Sequence, residues 1–265
     1  MTFQYSDQYR TEYATDGFTV LRGLIPPTLL SDLRAETDKA REIARRTGGP
    51  QAQRLQPVYA YDEIDPQPFR DFLALPGLRD TVEGILGPDH RQSDIMGVLL
   101  EPEENAWCTP WHRDWGYNAP HVKLDEFFKS VANLGMHNQL NGALYDDHSL
   151  WVAPGSHNRE DLPQERAAFP AIPPPGPVLN EEMNPTEREH TCLAYARQMP
   201  GAVPVSLFGR CRFLSRLSVA HRQLHPLHPP RHSTRRLLRP GRPGLARNGA
   251  RLAGGSARED EGVRV

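Results

Sequence analysis

The 265-residue chain predicts an α+β fold, on three observations. Up to about residue 90 its apolar positions recur at helical spacing. From Ser93 onward short apolar runs alternate with turn residues, as in β-structure. From about residue 209 the composition changes abruptly. The length suits one good core, or a core with appendages.

Asp16-Gly17 forms a turn into a short strand over 18–25. Pro26-Pro27 then opens a helix running to about Arg46, with Leu29, Leu33, Ala40 and Ile43 on one stripe and Gly48-Gly49-Pro50 as its stop. A second helical region spans 69–86, broken around Pro76-Gly77 and closed by Gly87-Pro88. Strands are expected at 95–100, 142–145 and 150–153, the last ending in the turn Pro154-Gly155-Ser156-His157. Residues 158–185, rich in proline and acids, read as a surface excursion.

Beyond Glu189 no Asp, Glu or Lys occurs before Glu259, although the chain holds 33 acidic residues. From 210 to 251 roughly a quarter of positions are arginine, several times the usual share. Stretches such as His225-Pro226-Leu227-His228-Pro229-Pro230-Arg231-His232 follow neither helical nor strand periodicity. Residues 209–265 are therefore expected to be an abnormal tail appended to a 1–208 domain. It is either disordered and basic or text never selected as protein. After Phe213 it has no aromatic side chain on which a nucleic-acid base could stack.

The formal net charge of −2 gives no reason to expect nucleic acid or an acidic membrane as partner. No apolar run approaches a membrane span. The N-terminus lacks the basic-then-apolar profile of a signal peptide, and the three cysteines (Cys108, Cys192, Cys211) suit a reducing compartment better than a disulfide scaffold. The expectation is a soluble, cytoplasmic protein.

Chemistry concentrates at Trp111-His112-Arg113-Asp114. At the end of a strand, His112 and Asp114 point to one side. An imidazole and a carboxylate that converge are two thirds of a 2-His-1-carboxylate iron site. By itself a His-x-Asp spacing is weak evidence, since a surface histidine beside a solvated aspartate looks the same. Trp111 and Trp115 could shield the pair, or be plain core.

In combination with its surroundings the motif resembles the phytanoyl-CoA dioxygenase family. Asp16-Gly17-Phe18-Thr19-Val20-Leu21-Arg22-Gly23 resembles the family's first strand, His112-Arg113-Asp114 its metal motif, and the segment from Gln139 through Asp147 and Leu150-Trp151-Val152-Ala153-Pro154-Gly155-Ser156-His157 its central hairpin and turn. The likeness covers about residues 10–208. It implies a double-stranded β-helix (jelly roll) with N-terminal flanking helices, and an oxidoreductase that uses Fe(II), 2-oxoglutarate and O₂ to hydroxylate a small organic substrate. His112 and Asp114 would be metal ligands, with no further catalytic side chain. Gln139 and Asn141 would hold 2-oxoglutarate or substrate, or else merely satisfy buried backbone. Related halogenases leave the aspartate's position open for chloride, so Asp114 favours hydroxylation. His157 is expected to bond backbone within its turn, His137 and His148 to be surface or packing residues, and Asp146 and Asp147 to start a hairpin turn.

The family also has a distal histidine on a later strand, and an arginine about ten residues beyond it that grips the distal carboxylate of 2-oxoglutarate. His221 and Arg231 stand nearest those places, inside the abnormal tail, and the C-terminal strands are expected to be lost or irregular. Codons explain why. Read one base later, 221–228 permit Thr/Ile-Gly-Asn-Tyr-Thr-Pro-Tyr-Thr with His just before, 229–235 permit Arg-Arg-Ala-Thr-Leu-His-Asp, and 209–212 permit Gly-Asp-Ala-Val. With synonymous codons chosen freely, this is compatibility with a frameshift between about Ser206 and Arg210. Two alternatives stay open: a non-catalytic remnant or interaction protein of the same fold, and a metal-dependent cupin-type enzyme that does not use 2-oxoglutarate.

Overall fold

The structure is a computed structural model. It describes residues 3–101, 105–113, 138–171, 175–207, 211–215, 220–224 and 233–240, with 91–95 and the last three segments as backbone only. The described elements are α1 (Asp7–Asp16), β1 (Phe18–Leu21), α2 (Pro27–Gly48), β2 (Arg54–Leu55), α3 (Gln67–Ala74), α4 (Pro76–Leu86), β3 (His90–Leu99), β4 (Trp107–Cys108), β5 (Asn138–Ala143), β6 (Asp147–Val152), α5 (Pro163–Ala168), α6 (Pro185–Ala196), β7 (Val203–Leu207), β8 (Cys211–Ser215), β9 (Ala220–Leu224) and β10 (Ser233–Pro240).

The N-terminal helices follow the sequence pattern. Helix α2 buries Leu29, Leu33, Ala40 and Ile43 and ends at Gly49, whose N–H bonds the Arg45 carbonyl. The expected break at Pro76 separates α3 from α4. Helix α1 had no apolar stripe to announce it, because Tyr13 is its one buried residue. It starts at Ser6, whose hydroxyl accepts from the Gln8 N–H, and it stops at Gly17 in the left-handed region.

Two antiparallel sheets follow, ordered β1-β8-β5-β10-β3-β2 and β4-β9-β6-β7. Side-chain parity assigns their faces. Leu21, Met96, Val98 and Leu140 join Tyr13, Leu33, Ile43, Phe72 and Val82 in the core between the helices and the six-stranded sheet. On the opposite face of that sheet, Ala143 packs with Leu150, Val152, Val205 and Leu207 of the other sheet, and with Phe18 and Val20. Gln139 and Asn141 share Ala143's parity on β5 and so belong to the face between the sheets. A third cluster, with Cys108, Trp111, Trp151, Cys192 and Tyr195, packs α6 onto the outer side of the four-stranded sheet.

Strands β5 and β6 begin earlier than the apolar runs predicted, because Asn138, Gln139, Asn141, Asp147 and Ser149 are buried polar residues and interrupt the hydrophobic signal. Asp147 belongs to β6 and accepts from the Ser149 N–H at 2.9 Å, while Asp146 is exposed between the bend at 144–145 and β6.

The expectation of lost or irregular C-terminal strands needs correction. The backbone runs as β8, β9 and β10 within 209–265, and each lies between two neighbours. Such a strand is held on both sides by backbone hydrogen bonds that require no particular side chains. Pro240 is tolerated because it ends β10.

Candidate active site

His112 follows β4 and is half-buried. Its Nδ1 lies 2.7 Å from the Pro110 carbonyl oxygen. A carbonyl only accepts, so Nδ1 carries the proton, and in the neutral form of the ring Nε2 is the unprotonated nitrogen. This is the arrangement in which a histidine ligates metal through Nε2.

The residues on either side are anchored. Trp111 is 1% exposed, and its backbone N–H donates to the Tyr195 hydroxyl at 3.2 Å, which in turn donates to the Pro175 carbonyl at 3.0 Å. The Arg113 guanidinium pairs with Asp161 at 2.7 Å and donates to the Ser156 carbonyl. Cys108, just upstream, is held to Cys192 of α6 by a thiol hydrogen bond that, with burial, pushes its pKa up. Tyr195 and Asp161 carry no local motif, and the sequence offered no signal for them.

Asp114 and Arg231, like His137, lie outside the described residues. Among the described residues no group of three or more His, Cys, Asp or Glu could hold a metal ion. His221 lies on β9, which pairs with β4 (Cys108↔Gln223) and with β6. Continuing the β4 register sets it across from Pro110, two residues before His112. On the β6 side its partner is Trp151, which packs towards α6. The β9 positions opposite Leu150 and Val152, the residues between the sheets, are 222 and 220.

Gln139 and Asn141 are 7% and 5% exposed, and the Gln139 amide donates to the Asn141 carbonyl oxygen at 2.8 Å. Across the sheet Asn141 is the register partner of Arg212 on β8 and Arg235 on β10, and Arg235 also pairs with Gly97 of β3. Counting forward from His221 led to Arg231. The positions that the sheet sets beside Asn141 are 212 and 235.

Of His137, His148 and His157, the last two are described. His148 is exposed and lies 2.8 Å from the Ser206 hydroxyl. His157 is buried, but its Nε2–H donates to the Ala14 carbonyl of α1 at 3.2 Å, a distant partner instead of its own turn. The turn closes on the end of α1 through Gly155 as well, whose N–H donates to Asp16. Gly155 takes φ 70°, a conformation that favours glycine.

No known family profile matches the chain, and no curated protein matches it by sequence. Solved structures do. It resembles AviO1 from Streptomyces viridochromogenes Tue57 at 16% identity and TM-score 0.57, over 92% of this chain and 100% of that one. EvdO2 from Micromonospora carbonacea var. aurantiaca, complexed with 2-oxoglutarate, aligns at 16% identity and TM-score 0.58, over 94% and 96% of the two chains. SnoN, a non-heme alpha-ketoglutarate-dependent epimerase of nogalamycin biosynthesis, aligns at 19% identity and TM-score 0.55, over 94% and 93%. At such identities the likeness is one of fold: the chain shares the mixed helix-and-sheet fold of these proteins.

Proposed function

We propose that the chain follows the plan of an Fe(II)- and 2-oxoglutarate-dependent oxygenase acting on a small organic substrate, with its two sheets forming a jelly roll. The observation that carries this reading is His112, held as the Nδ1–H tautomer just past β4, the strand that pairs with β9, on a fold shared with 2-oxoglutarate-dependent enzymes. His112 and Asp114 would be ligands, with β9 supplying the third. When bound, iron with 2-oxoglutarate and O₂ supplies the oxidising chemistry that hydroxylates an unactivated C–H bond. The protein's part is positional. Pro110 fixes the His112 tautomer, Trp111 and Arg113 immobilise its backbone, and the buried amides of Gln139 and Asn141 offer donors to a carboxylate.

The third ligand is where this chain departs from the plan. His221 stands on the right strand but one residue out of phase with 220 and 222, the positions opposite the inter-sheet residues. A one-residue slip exchanges the two faces of a strand. The frameshift proposed between about 206 and 210 repairs this, because in the neighbouring frame the codon that permits histidine falls at 220. The phase also favours a second reading, a non-catalytic remnant with a weakened metal site.

Anaerobic Fe(II) titration separates the two. The combined change Ala220→His with His221→Ala should tighten Fe(II) by at least about tenfold, the scale on which metal-site changes act, and an unchanged affinity overturns the phase argument. The repaired protein should then form succinate from 2-oxoglutarate and O₂, and Asp114→Ala should abolish this. A repaired chain that binds iron without succinate formation establishes the remnant reading. The gene's neighbouring frame should encode a histidine at codon 220 and an arginine some ten codons on, and a stop codon there refutes the frameshift.

A further inference from the structure

Two cysteines meet where α6 packs on β4. Cys108 of β4 and Cys192 of α6 are free thiols, 7% and 0% exposed, and they share one buried cluster with Trp111, Trp151 and Met199. A hydrogen bond joins their sulfurs, with the Cys108 S–H donating. That bond, with burial, raises the Cys108 pKa, and it lowers that of Cys192. Arg188, one turn earlier on α6, adds its positive charge to the lowering, against burial and the Glu189 carboxylate. The Arg188 Nε is buried with no hydrogen-bond partner among the described residues, while a terminal nitrogen donates to the Asn180 carbonyl at 2.7 Å. The pair is therefore asymmetric. Anionic character gathers on Cys192, and Cys108 is the proton donor beside it. Neither residue depends on the text beyond 206.

We propose that Cys108 and Cys192 form a redox-modification site, a dithiol that a small hydroperoxide converts to a disulfide. The Cys192 thiolate attacks one peroxide oxygen, so that S–O forms as O–O breaks, and the leaving hydroxide takes up the proton that Cys192 lost to become water. The Cys108 sulfur then attacks the Cys192 sulfur. S–S forms, S–O breaks, and the hydroxyl leaves with the Cys108 proton as a second water. Two electrons pass from sulfur to peroxide, leaving one disulfide and two waters. Burial selects the oxidant, since the packed cluster excludes a bulky disulfide such as oxidised glutathione and leaves access to a molecule near the size of water. An S–S bond of about 2.05 Å is shorter than any hydrogen-bonded separation of two sulfurs, so closing it draws β4 and α6 together. His112 lies four residues beyond Cys108, and Tyr195, three beyond Cys192, accepts from the Trp111 backbone N–H. The dithiol thus bears on the backbone that carries His112, but its chemistry needs no metal and does not rest on the iron reading.

The test is peptide mapping of the full chain, treated with one equivalent of hydrogen peroxide in the presence of a chelator and then alkylated in urea. Of the three pairings that three cysteines allow, Cys108–Cys192 should dominate in the native chain, revert with dithiothreitol, and lose its preference when oxidation is carried out in urea. Cys108→Ser should stop at a sulfenic acid on Cys192, trapped by dimedone, and Cys192→Ser should leave Cys108 a thiol at the same dose. Arg188→Gln should slow the oxidation about threefold, because about a tenfold loss of thiolate is half offset by the greater nucleophilicity of the more basic sulfur. Oxidised glutathione should leave the native pair untouched. Cys108 and Cys192 left unmodified in the native parent chain, or a dominant pairing with Cys211, overturns the proposal, and this map needs no variant to fold. Glutathione attached to either cysteine of the native chain overturns the selection by burial, and a sulfenic acid on Cys108 of the Cys192→Ser chain overturns the order of attack.

Discussion

His157 shows how one buried side chain sets a pH limit on the fold. Its Nε2–H is spent on the Ala14 carbonyl, and Nδ1 is buried with no hydrogen-bond partner among the described residues. Charging the ring would put a proton on that nitrogen. Burial therefore holds its pKa below the ordinary 6.5, outweighing the Ala14 bond, and the nearby Arg113 pushes the same way. The unfolded chain takes up this proton near pH 6.5 while the folded chain resists it until lower pH, so stability falls as pH drops from about 6.5. Urea melts from pH 7.5 to 5 should show this slope, and His157→Gln should flatten it. A slope that survives the substitution assigns it to other groups. His112 stood out in the sequence because a His-x-Asp spacing is a local property. The Ala14 partner of His157 was not, because 143 residues separate the two.

Helix α2 is tied to the sheet by charge as well as by its apolar stripe. Arg41 lies 2.8 Å from Glu101 just past β3, at 12% and 7% side-chain exposure, and Arg45 approaches the same carboxylate at 3.4 Å. Arg34 donates to the Leu144 carbonyl at 2.8 Å and covers the Tyr145 ring. A buried pair contributes little net stability when intact, yet breaking one partner strands a charge. Glu101→Leu should therefore cost about 3 kcal/mol in urea unfolding, and adding Arg41→Met should recover much of it. An equal or larger loss in the double variant sinks this account. The apolar stripe of α2 was plain in the sequence. The register of Arg41 against Glu101 was not, since nothing local relates residues that far apart.

The strands of residues 209–265 occupy internal positions. β8 and β10 flank β5, and β9 separates β4 from β6, so removing them would leave β5 with no partner and β4 detached. A chain ending at Leu207 should accordingly lose cooperative unfolding and aggregate through its opened strands, as circular dichroism and size exclusion would show. A monomeric truncation with a sharp melt would establish that residues 1–207 fold alone. No described helix is long and apolar enough to cross a membrane.

By itself the sequence determined what depends on near neighbours. Those features are the boundaries of α2 and the α3–α4 break from Pro and Gly placement, the α+β class from the change of period at Ser93, and the His112–Asp114 spacing that makes His112 a candidate ligand. Tertiary structure alone decided which distant residues share a face. It set Gln56 over Gly97, made Arg212 and Arg235 the register partners of Asn141, and put His221 opposite Trp151. Those placements depend on strand register. Register comes from backbone hydrogen bonds between segments remote along the chain, and a shift of one residue reverses every side chain on the strand.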